Sequence, residues 1–262
     1  MSARITIGRL YLCMAVVFVG ARVFAGQEQP AGQPPKAESL IGGGVMIKNK
    51  PFEGVDTKVY PLPFYIYRGQ RLSLRGPYAS YDMARQKDWS VKAVARLRTD
   101  GYDADDSSDL AGMSDRDVSL DVGAGLTLIR PWGSVEMDLL TDALGKHKGQ
   151  EITLTYAKPL RGPFGIEKLT ISPLLGFSWR SKQLNDYYYG VRAGEVRPGR
   201  PLYDSGSCLN PVAGLMLNHE LSERWSIFGM FQNEWLGSEI TNSPVVDRHH
   251  ISSLIIGLLY RL

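Results

Sequence analysis

The feature that most constrains this chain is a period-two alternation of apolar with small or charged residues, repeated over long segments. In residues 89–99, WSVKAVARLRT, one face is almost wholly apolar and the other carries Lys92, Arg96 and Arg98. A β-strand with two different faces has this period. The segments match the roughly 9–11 residues of a tilted membrane strand better than the usual 5–6. The same alternation recurs at 117–129, 133–143, 167–180 and 249–262.

The polar faces of these segments favour a membrane barrel over a soluble sandwich. They contain Gly123, Gly125 and Gly176 as well as charged residues. Glycine weakens a solvated strand, whereas small and charged residues are expected in a barrel lumen. The sequence predicts an all-β, transmembrane, antiparallel up-and-down β-barrel of about 12 strands, with 10 as the alternative because the pair around Gly76 and Pro77 is short. The predicted strands are 38–48, 58–68, 70–76, 77–84, 88–99, 116–129, 133–143, 150–159, 167–180, 208–221, 225–237 and 249–262.

Connections and tryptophans predict the orientation of this barrel. The segments 130–133, 158–168 and 221–225 are short, whereas 100–116 and 185–207 are long and polar. Outer-membrane barrels place short turns in the periplasm and long loops outside. An interfacial aromatic girdle at the strand ends is expected from the tryptophans: Trp89, Trp132 and Trp225 on the periplasmic side, and Trp179 and Trp235 on the outer side.

The N-terminus predicts export. Arg4 and Arg9 precede an apolar stretch from Leu10 to Val19, and Val23 and Ala25 suit cleavage after Ala25. Residues 1–25 are therefore expected to be a signal peptide, residues 26–37 a flexible periplasmic tail, and residues 38–262 the outer-membrane barrel. Removing residues 1–25 leaves 27 basic against 27 acidic residues, which gives no reason to expect nucleic acid as a partner. Cys208 is then alone, so no intramolecular disulfide can form.

Charged residues on the polar faces are predicted to line the lumen. Opposite charges on adjacent strands attract across a sheet, so ion pairs are expected to narrow or close the pore. The alternative is a wet, selective channel with unpaired charges. Replacing Arg96 with Ala should raise conductance if the ion pairs form a plug. The predicted lumen residues are Lys92, Arg96 and Arg98 on one strand, Asp121 on the next, and Glu136 and Asp138 on the one after.

No enzyme, cofactor or metal site is predicted. His147 lies between two lysines and is expected in a solvated outer loop. The acidic segment 100–109 could bind Ca²⁺ or bridge to lipopolysaccharide, but it lacks the glycine and terminal Glu of an EF-hand, so a solvated loop is the preferred interpretation. The run Tyr187, Tyr188 and Tyr189 is interpreted as part of the outer girdle, with an exposed adhesin loop as the alternative.

Seven segments, in order along the chain, resemble the MltA-interacting protein (MipA/OmpV) family of outer-membrane proteins. They are VYPLPFYIYRGQRL (59–72), LAGMSD (110–115), LGKHKGQ (144–150), YYYGV (187–191), LYDSGS (202–207), ITNSPVV (240–246) and GLLYRL (257–262). Two features depart from the family: the chain ends on Leu262 instead of an aromatic residue, and LIGGGVMIKNKPFEG (40–54) keeps only a glycine-rich outline.

The resemblance implies a location and a role. The location is the outer membrane of a Gram-negative bacterium, in contact with its lipids and lipopolysaccharide. The closing strand would be read by the barrel-assembly machinery through Leu258, Tyr260 and Leu262. The role would be a scaffold that docks a lytic transglycosylase and a bifunctional penicillin-binding protein, a murein synthase, during peptidoglycan growth. The alternative function is a small, porin-like diffusion channel for solutes or antibiotics.

Overall fold

The chain forms a closed antiparallel β-barrel. A computed structural model describes residues 37–262; the predicted signal peptide and nearly all of the predicted tail lie outside these residues. The strands are β1 (Glu38–Lys48), β2 (Lys58–Arg68), β3 (Leu72–Arg75), β4 (Tyr78–Arg85), β5 (Trp89–Arg98), β6 (Ser119–Arg130), β7 (Gly133–Asp142), β8 (Gln150–Ala157), β9 (Leu160–Arg161), β10 (Leu169–Arg180), β11 (Cys208–Glu220), β12 (Trp225–Trp235) and β13 (His250–Arg261). The helices are α1 (Lys182–Tyr189) and α2 (Ser238–Thr241).

Each strand pairs with its neighbour in the chain, and the first strand closes on the last. Along the β1–β13 seam the register runs from Leu40 opposite Arg261 to Lys48 opposite Ser253. Twelve strands form the ring, and the two-residue β9 adds only a short pairing to β10. The prediction of a 12-stranded up-and-down barrel is therefore confirmed. Within the described residues, no helix has the length and apolar character to cross a bilayer.

The two ends of the barrel differ. One end, here called the turn end, has connections 69–71, 86–88, 131–132, 158–168 and 221–224, and both chain termini of the barrel lie there. The other, the loop end, has connections 49–57, 99–118, 143–149, 181–207 and 236–249. Because strand direction alternates, successive connections lie at opposite ends. The two longest, 99–118 and 181–207, both lie at the loop end, and the two-residue turn 76–77 between β3 and β4 points the same way.

The barrel interior is packed along its length, and it is apolar on one side. Inward side chains of β1, β2, β8 and β10–β13 form one buried cluster, in which the rings of Phe64 and Phe228 meet edge to face at 6.3 Å. The sequence had suggested charged and small residues there. Leu62, Phe64 and Met230 point into the barrel, and the residues next to them on the outer face of the same strands are apolar as well. These strands are therefore apolar on both faces. Period-two patterning cannot reveal a strand that is apolar on both faces.

Candidate functional site in the barrel interior and at its ends

The charged side of the interior is a network of ion pairs centred on β5. Arg96 and Asp121 are directly opposite each other in the β5–β6 register, and Arg96 Nη2 lies 3.2 Å from Asp121 Oδ2. Arg98 Nε donates to the same oxygen at 2.8 Å. Lys92 pairs with Glu136. All of these side chains are buried, so the low-dielectric interior makes each pair strongly dependent on its partner.

Three further members of the network were missed by the sequence prediction. Glu151 on β8 accepts hydrogen bonds from Arg96, Arg98 and Ser178. Arg180 on β10 donates to Glu234 on β12 at 2.7 Å, which extends the network along the barrel wall as far as β12. Glu151, Arg180 and Glu234 each sit on the inward parity of a strand, so a systematic search for charges on that parity would have found them.

Asp138 lies beside Lys92 but forms no ion pair with a described residue. Tyr78 Oη donates to Asp138 Oδ2 at 3.2 Å, and Asp138 Oδ1 has no hydrogen-bond partner among the described residues. A side chain at Gly125 would collide with the Asp138 carboxylate and with Lys92. This close approach explains why a glycine occupies the inner face of β6 at that point.

A second hydrophobic cluster, here called the loop plug, closes the loop end. It is built from the loops themselves and from α1, whose first turn is capped by the Ser181 side chain. Phe52 lies 4.5 Å from Tyr102 and 5.6 Å from Tyr189, measured between ring centroids. Tyr188 and Tyr189 are fully buried in this plug. The interpretation of the tyrosine run as outer girdle, and the alternative of an exposed adhesin loop, are therefore both wrong for these two residues, because α1 turns them inward.

One buried ion pair joins two loops within the plug. The Glu195 carboxylate accepts a hydrogen bond from each terminal nitrogen of Arg116, both at 3.0 Å. It also accepts hydrogen bonds from the backbone N–H groups of Ser114 and Arg192. Burial by itself would raise the pKa of Glu195, but these hydrogen bonds outweigh it and lower the pKa to about 2. Arg200 donates to the carbonyls of Asp109, Ala111 and Glu195. The loops 99–118 and 181–207 are thus fastened to each other.

The sequence predicts that His147 lies in a solvated outer loop, and this prediction is wrong. It is only 3% exposed, since its loop folds back over the end of the β5–β8 wall. Its Nδ1 accepts the Gly149 N–H at 3.1 Å, which leaves the proton on Nε2 to donate to Asp121 Oδ1 at 2.9 Å. Asp142 lies close to both residues, but its carboxylate already accepts the backbone N–H groups of Leu144, His147 and Lys148. With both ring nitrogens engaged, the imidazole extends the ion-pair network.

The acidic segment is also less solvated than expected. Asp100 is tied to Arg98 at 2.7 Å; burial would raise its pKa, but Arg98, Arg180 and Lys48 hold it well below its usual range. Asp106 lies 2.6 Å from Lys58 and 3.2 Å from Lys50. The prediction of a solvated loop is therefore wrong for these two residues, because Arg98 holds Asp100 and two lysines from the 49–58 region hold Asp106.

The predicted girdle and closing residues lie at strand ends and on the outer face. Trp89 and Trp225 begin strands, Trp179 and Trp235 lie at or beside strand ends, and Trp132 sits in a turn. Leu258 and Leu262 are exposed on the outer face of the barrel. Tyr260 packs on Trp225 with ring centroids 4.9 Å apart and receives a hydrogen bond from Arg224.

Comparison with known proteins gives the family. The family model described as MltA-interacting protein MipA matches residues 41–262. The chain belongs to the MipA family. The MltA-interacting protein of Escherichia coli K12 is 28% identical over 224 residues, which cover 84% of this chain and 89% of that protein. The outer membrane protein OmpV of Vibrio cholerae is 30% identical over 146 residues, covering 56% of this chain and 55% of that protein.

This MipA-family chain is an outer-membrane protein, as its barrel fold and the outer membrane proteins among its relatives show. Among solved structures, the NanC porin has 10% identity and a TM-score of 0.41, covering 86% of this chain and all of that one. The CymD monoaromatic hydrocarbon channel has 12% identity and a TM-score of 0.37, covering 86% and 88%. Scores this low carry no argument about what the MipA-family chain binds or conducts.

Proposed function

We propose that this protein is a non-enzymatic scaffold whose turn end, facing the periplasm, docks a lytic transglycosylase and a bifunctional penicillin-binding protein, a murein synthase. The Escherichia coli relative carries the name MltA-interacting protein, which supports a protein partner. The buried side chains of the interior support it as well, because they leave the ends and the outer wall as the surfaces that a protein partner can reach. Outer-membrane lipid and lipopolysaccharide would contact that wall, and the barrel-assembly machinery would bind β13 during insertion.

Phe164 is the observation that carries the docking proposal. It is 88% exposed at the tip of the turn 158–168, the longest connection at the turn end. Its φ of 58° and ψ of 21° place it in the left-handed region, which costs an ordinary residue about 1–2 kcal/mol. Neither the exposure nor the conformation stabilises the fold. A strained, exposed aromatic residue on a defined loop is a feature of functional sites.

Neighbouring apolar residues enlarge this surface, here called the turn patch. Leu160 and Ile166 are exposed on the same turn as Phe164. Trp132, also exposed, stands beside it, because Tyr156 at the end of β8 donates to the Trp132 carbonyl at 2.7 Å. Aromatic residues in a small apolar patch are frequent binding hot spots. The turn patch therefore offers a partner an aromatic anchor on a rigid base.

Binding measurements with purified partners test the proposal. The barrel, in lipid nanodiscs, would be immobilised through its loop end and exposed separately to a purified lytic transglycosylase and a purified bifunctional penicillin-binding protein. We expect both to bind. Phe164→Ala should weaken binding by tenfold or more, since truncating a hot spot costs about 2 kcal/mol or more.

Leu202→Ala is the matched control, because Leu202 is an exposed apolar residue on the loop end. It should leave both affinities unchanged. If neither enzyme binds the folded wild-type barrel, or if the two variants behave alike, docking through the turn patch is wrong.

The alternative of a small diffusion channel has less support. The apolar cluster and the ion-pair network lie side by side in the interior, and the loop plug covers their loop end. A cavity between Arg96, Glu151 and Gln232 has room for only a few water molecules.

A further inference from the structure

The barrel wall has one incomplete seam. β3 pairs with β2 through only three residue pairs, from Ile66 opposite Arg75 to Arg68 opposite Ser73. The chain then turns at Gly76, whose φ is 55°, and returns as β4. Among residues 37–262, no strand pairs with Lys58–Tyr65 on that side of β2. The tip of the β3–β4 hairpin is therefore the least anchored part of the wall.

The open edge of β2 is adapted to remain unpaired. Gly69 N–H donates to the Leu72 carbonyl at 2.7 Å, so odd-numbered residues of β2 direct their N–H groups towards β3. Two odd positions on the open part are Pro61 and Pro63, which have no N–H to leave unsatisfied. Val59 and Tyr65, at the other two odd positions, are exposed. An edge of this kind faces lipid with few unpaired donors and discourages the addition of another strand.

Arg75 lies at the border of this opening nearest the turn end, and no carboxylate of residues 37–262 forms an ion pair with it. It is 2% exposed, yet Nε, Nη1 and Nη2 all lack a hydrogen-bond acceptor among the described residues. Its guanidinium lies 4.7 Å from the centroid of the Tyr78 ring, a contact that does not neutralise it. Arg96 and Arg98, by contrast, each meet two or more carboxylates. A buried cation without an anion is strongly unfavourable, which indicates that Arg75 is placed for an anion from outside the chain.

We propose that Arg75 binds the acidic headgroup, a carboxylate or phosphate, of an amphiphile whose hydrocarbon chain leaves the barrel between β2 and the β3–β4 hairpin. The inner face of the open part of β2 carries Leu62 and Phe64, with Ile66 opposite Arg75, so the path is apolar. Towards the turn end, Glu38 pairs with Arg68 and with Arg261, each at 2.8 Å. Those ion pairs block access to Arg75 from the water at the turn end. The remaining route to Arg75 is sideways, through the seam between β2 and the β3–β4 hairpin. Because Arg75 is sealed from solvent, entry requires the hairpin tip to move away from β2.

Photocrosslinking tests the proposal. The barrel in phosphatidylcholine nanodiscs would be labelled with palmitate carrying a diazirine on its chain, and the labelled peptides would be mapped. We expect label on residues 58–66 and 72–78 in preference to other outward surfaces. Palmitate and hexadecyl phosphate should compete, whereas hexadecanol, acetate and inorganic phosphate should not. Uniform labelling around the barrel, or equal competition by hexadecanol or inorganic phosphate, would overturn the proposal.

Two variants separate binding from folding. Arg75→Met should reduce the specific label at least tenfold, whereas Arg71→Met, at an exposed arginine of the adjoining turn, should leave it unchanged. Without ligand, Arg75→Met should unfold at the same or a higher temperature, since it removes an unpaired buried charge. A markedly lower unfolding temperature would mean that Arg75 is tied through solvent to Asp138 and has a structural role. Retained labelling in Arg75→Met would equally refute the site.

Discussion

At the scale of single residues, the interior depends on a few carboxylates that each hold several cations. Glu151 is the clearest case: it accepts from Arg96, Arg98 and Ser178, and Arg180 Nε lies 3.6 Å away. Its negative charge is shared among three buried guanidinium groups. Removing Glu151 takes one carboxylate away from each of these buried cations, so the loss exceeds the value of any single pair.

Glu151→Gln should therefore destabilise the barrel by about 3–5 kcal/mol, as expected when one partner of a buried ion pair is lost. The free energy of unfolding would be measured by urea titration in detergent micelles, followed by circular dichroism. Glu167→Gln, at an exposed turn position, is the matched control and should change stability by less than about 0.5 kcal/mol. Equal stability of the two variants would show that the network contributes little.

At the scale of elements, the loop plug is held by contacts between loops that are far apart in sequence. Arg116 and Glu195 join the loops 99–118 and 181–207, Tyr188 Oη donates to the Asp117 carbonyl at 3.2 Å, and Ser243 Oγ donates to the Tyr189 carbonyl at 2.5 Å. Helix α1 is only eight residues long, too short to be stable alone in water. Its position depends on these contacts.

Glu195→Gln should loosen the plug at pH 7, because neutral Gln cannot match a bidentate ion pair. Losing hydrogen bonds to a charged group costs about 1.5–3 kcal/mol, which raises the population of the opened loop by more than tenfold. Trypsin should then cleave the bond between Arg192 and Ala193 faster than in the wild type. Glu223→Gln, at an exposed position of a turn, is the control, and equal cleavage rates in both variants would contradict the prediction.

The same ion pair predicts the response of the plug to acid. The pKa of Glu195 falls from its usual 4.5 to about 2 in the folded protein, so its contribution to stability is complete above pH 4.5 and is lost as the pH falls towards 2. Hydrogen exchange of residues 193–200, corrected for the intrinsic rate, should stay slow at pH 5 and accelerate between pH 4 and 2. The Glu195→Gln variant should lack this step. A wild-type transition near pH 6 would point to another group.

At the scale of the whole molecule, three layers close the lumen. The loop plug covers the loop end, the ion pairs cross the barrel on the β5–β8 side, and the apolar cluster fills the β1–β2 and β11–β13 side. From the sequence, Arg96→Ala was expected to raise conductance. With two further layers in place, both the wild type and Arg96→Ala should show no steady current in planar lipid bilayers, with an open porin as positive control. Stable single-channel steps from either protein would favour the channel function.

The sequence by itself determined the barrel, a count of about 12 strands with 10 as the alternative, and the inward side of the strands that alternate clearly. Those properties follow from local periodicity and strand length, which a single segment such as residues 89–99 already displays. It also supplied the family, through short segments in order. Strand ends were predictable to within a few residues because glycine, proline and charged residues interrupt the alternation there.

Only the tertiary structure decided what fills and closes the barrel. His147, Tyr188 and Tyr189 look exposed in the sequence because they lie in polar loops, yet contacts with distant loops bury them. Glu151, Arg180 and Glu234 join one network although they are separated by tens of residues, since the register of β8, β10, β11 and β12 brings them together. Likewise, the missing acceptor at Arg75 is a property of all the surrounding strands. Long-range packing sets which charges are buried and paired, and no local pattern encodes it.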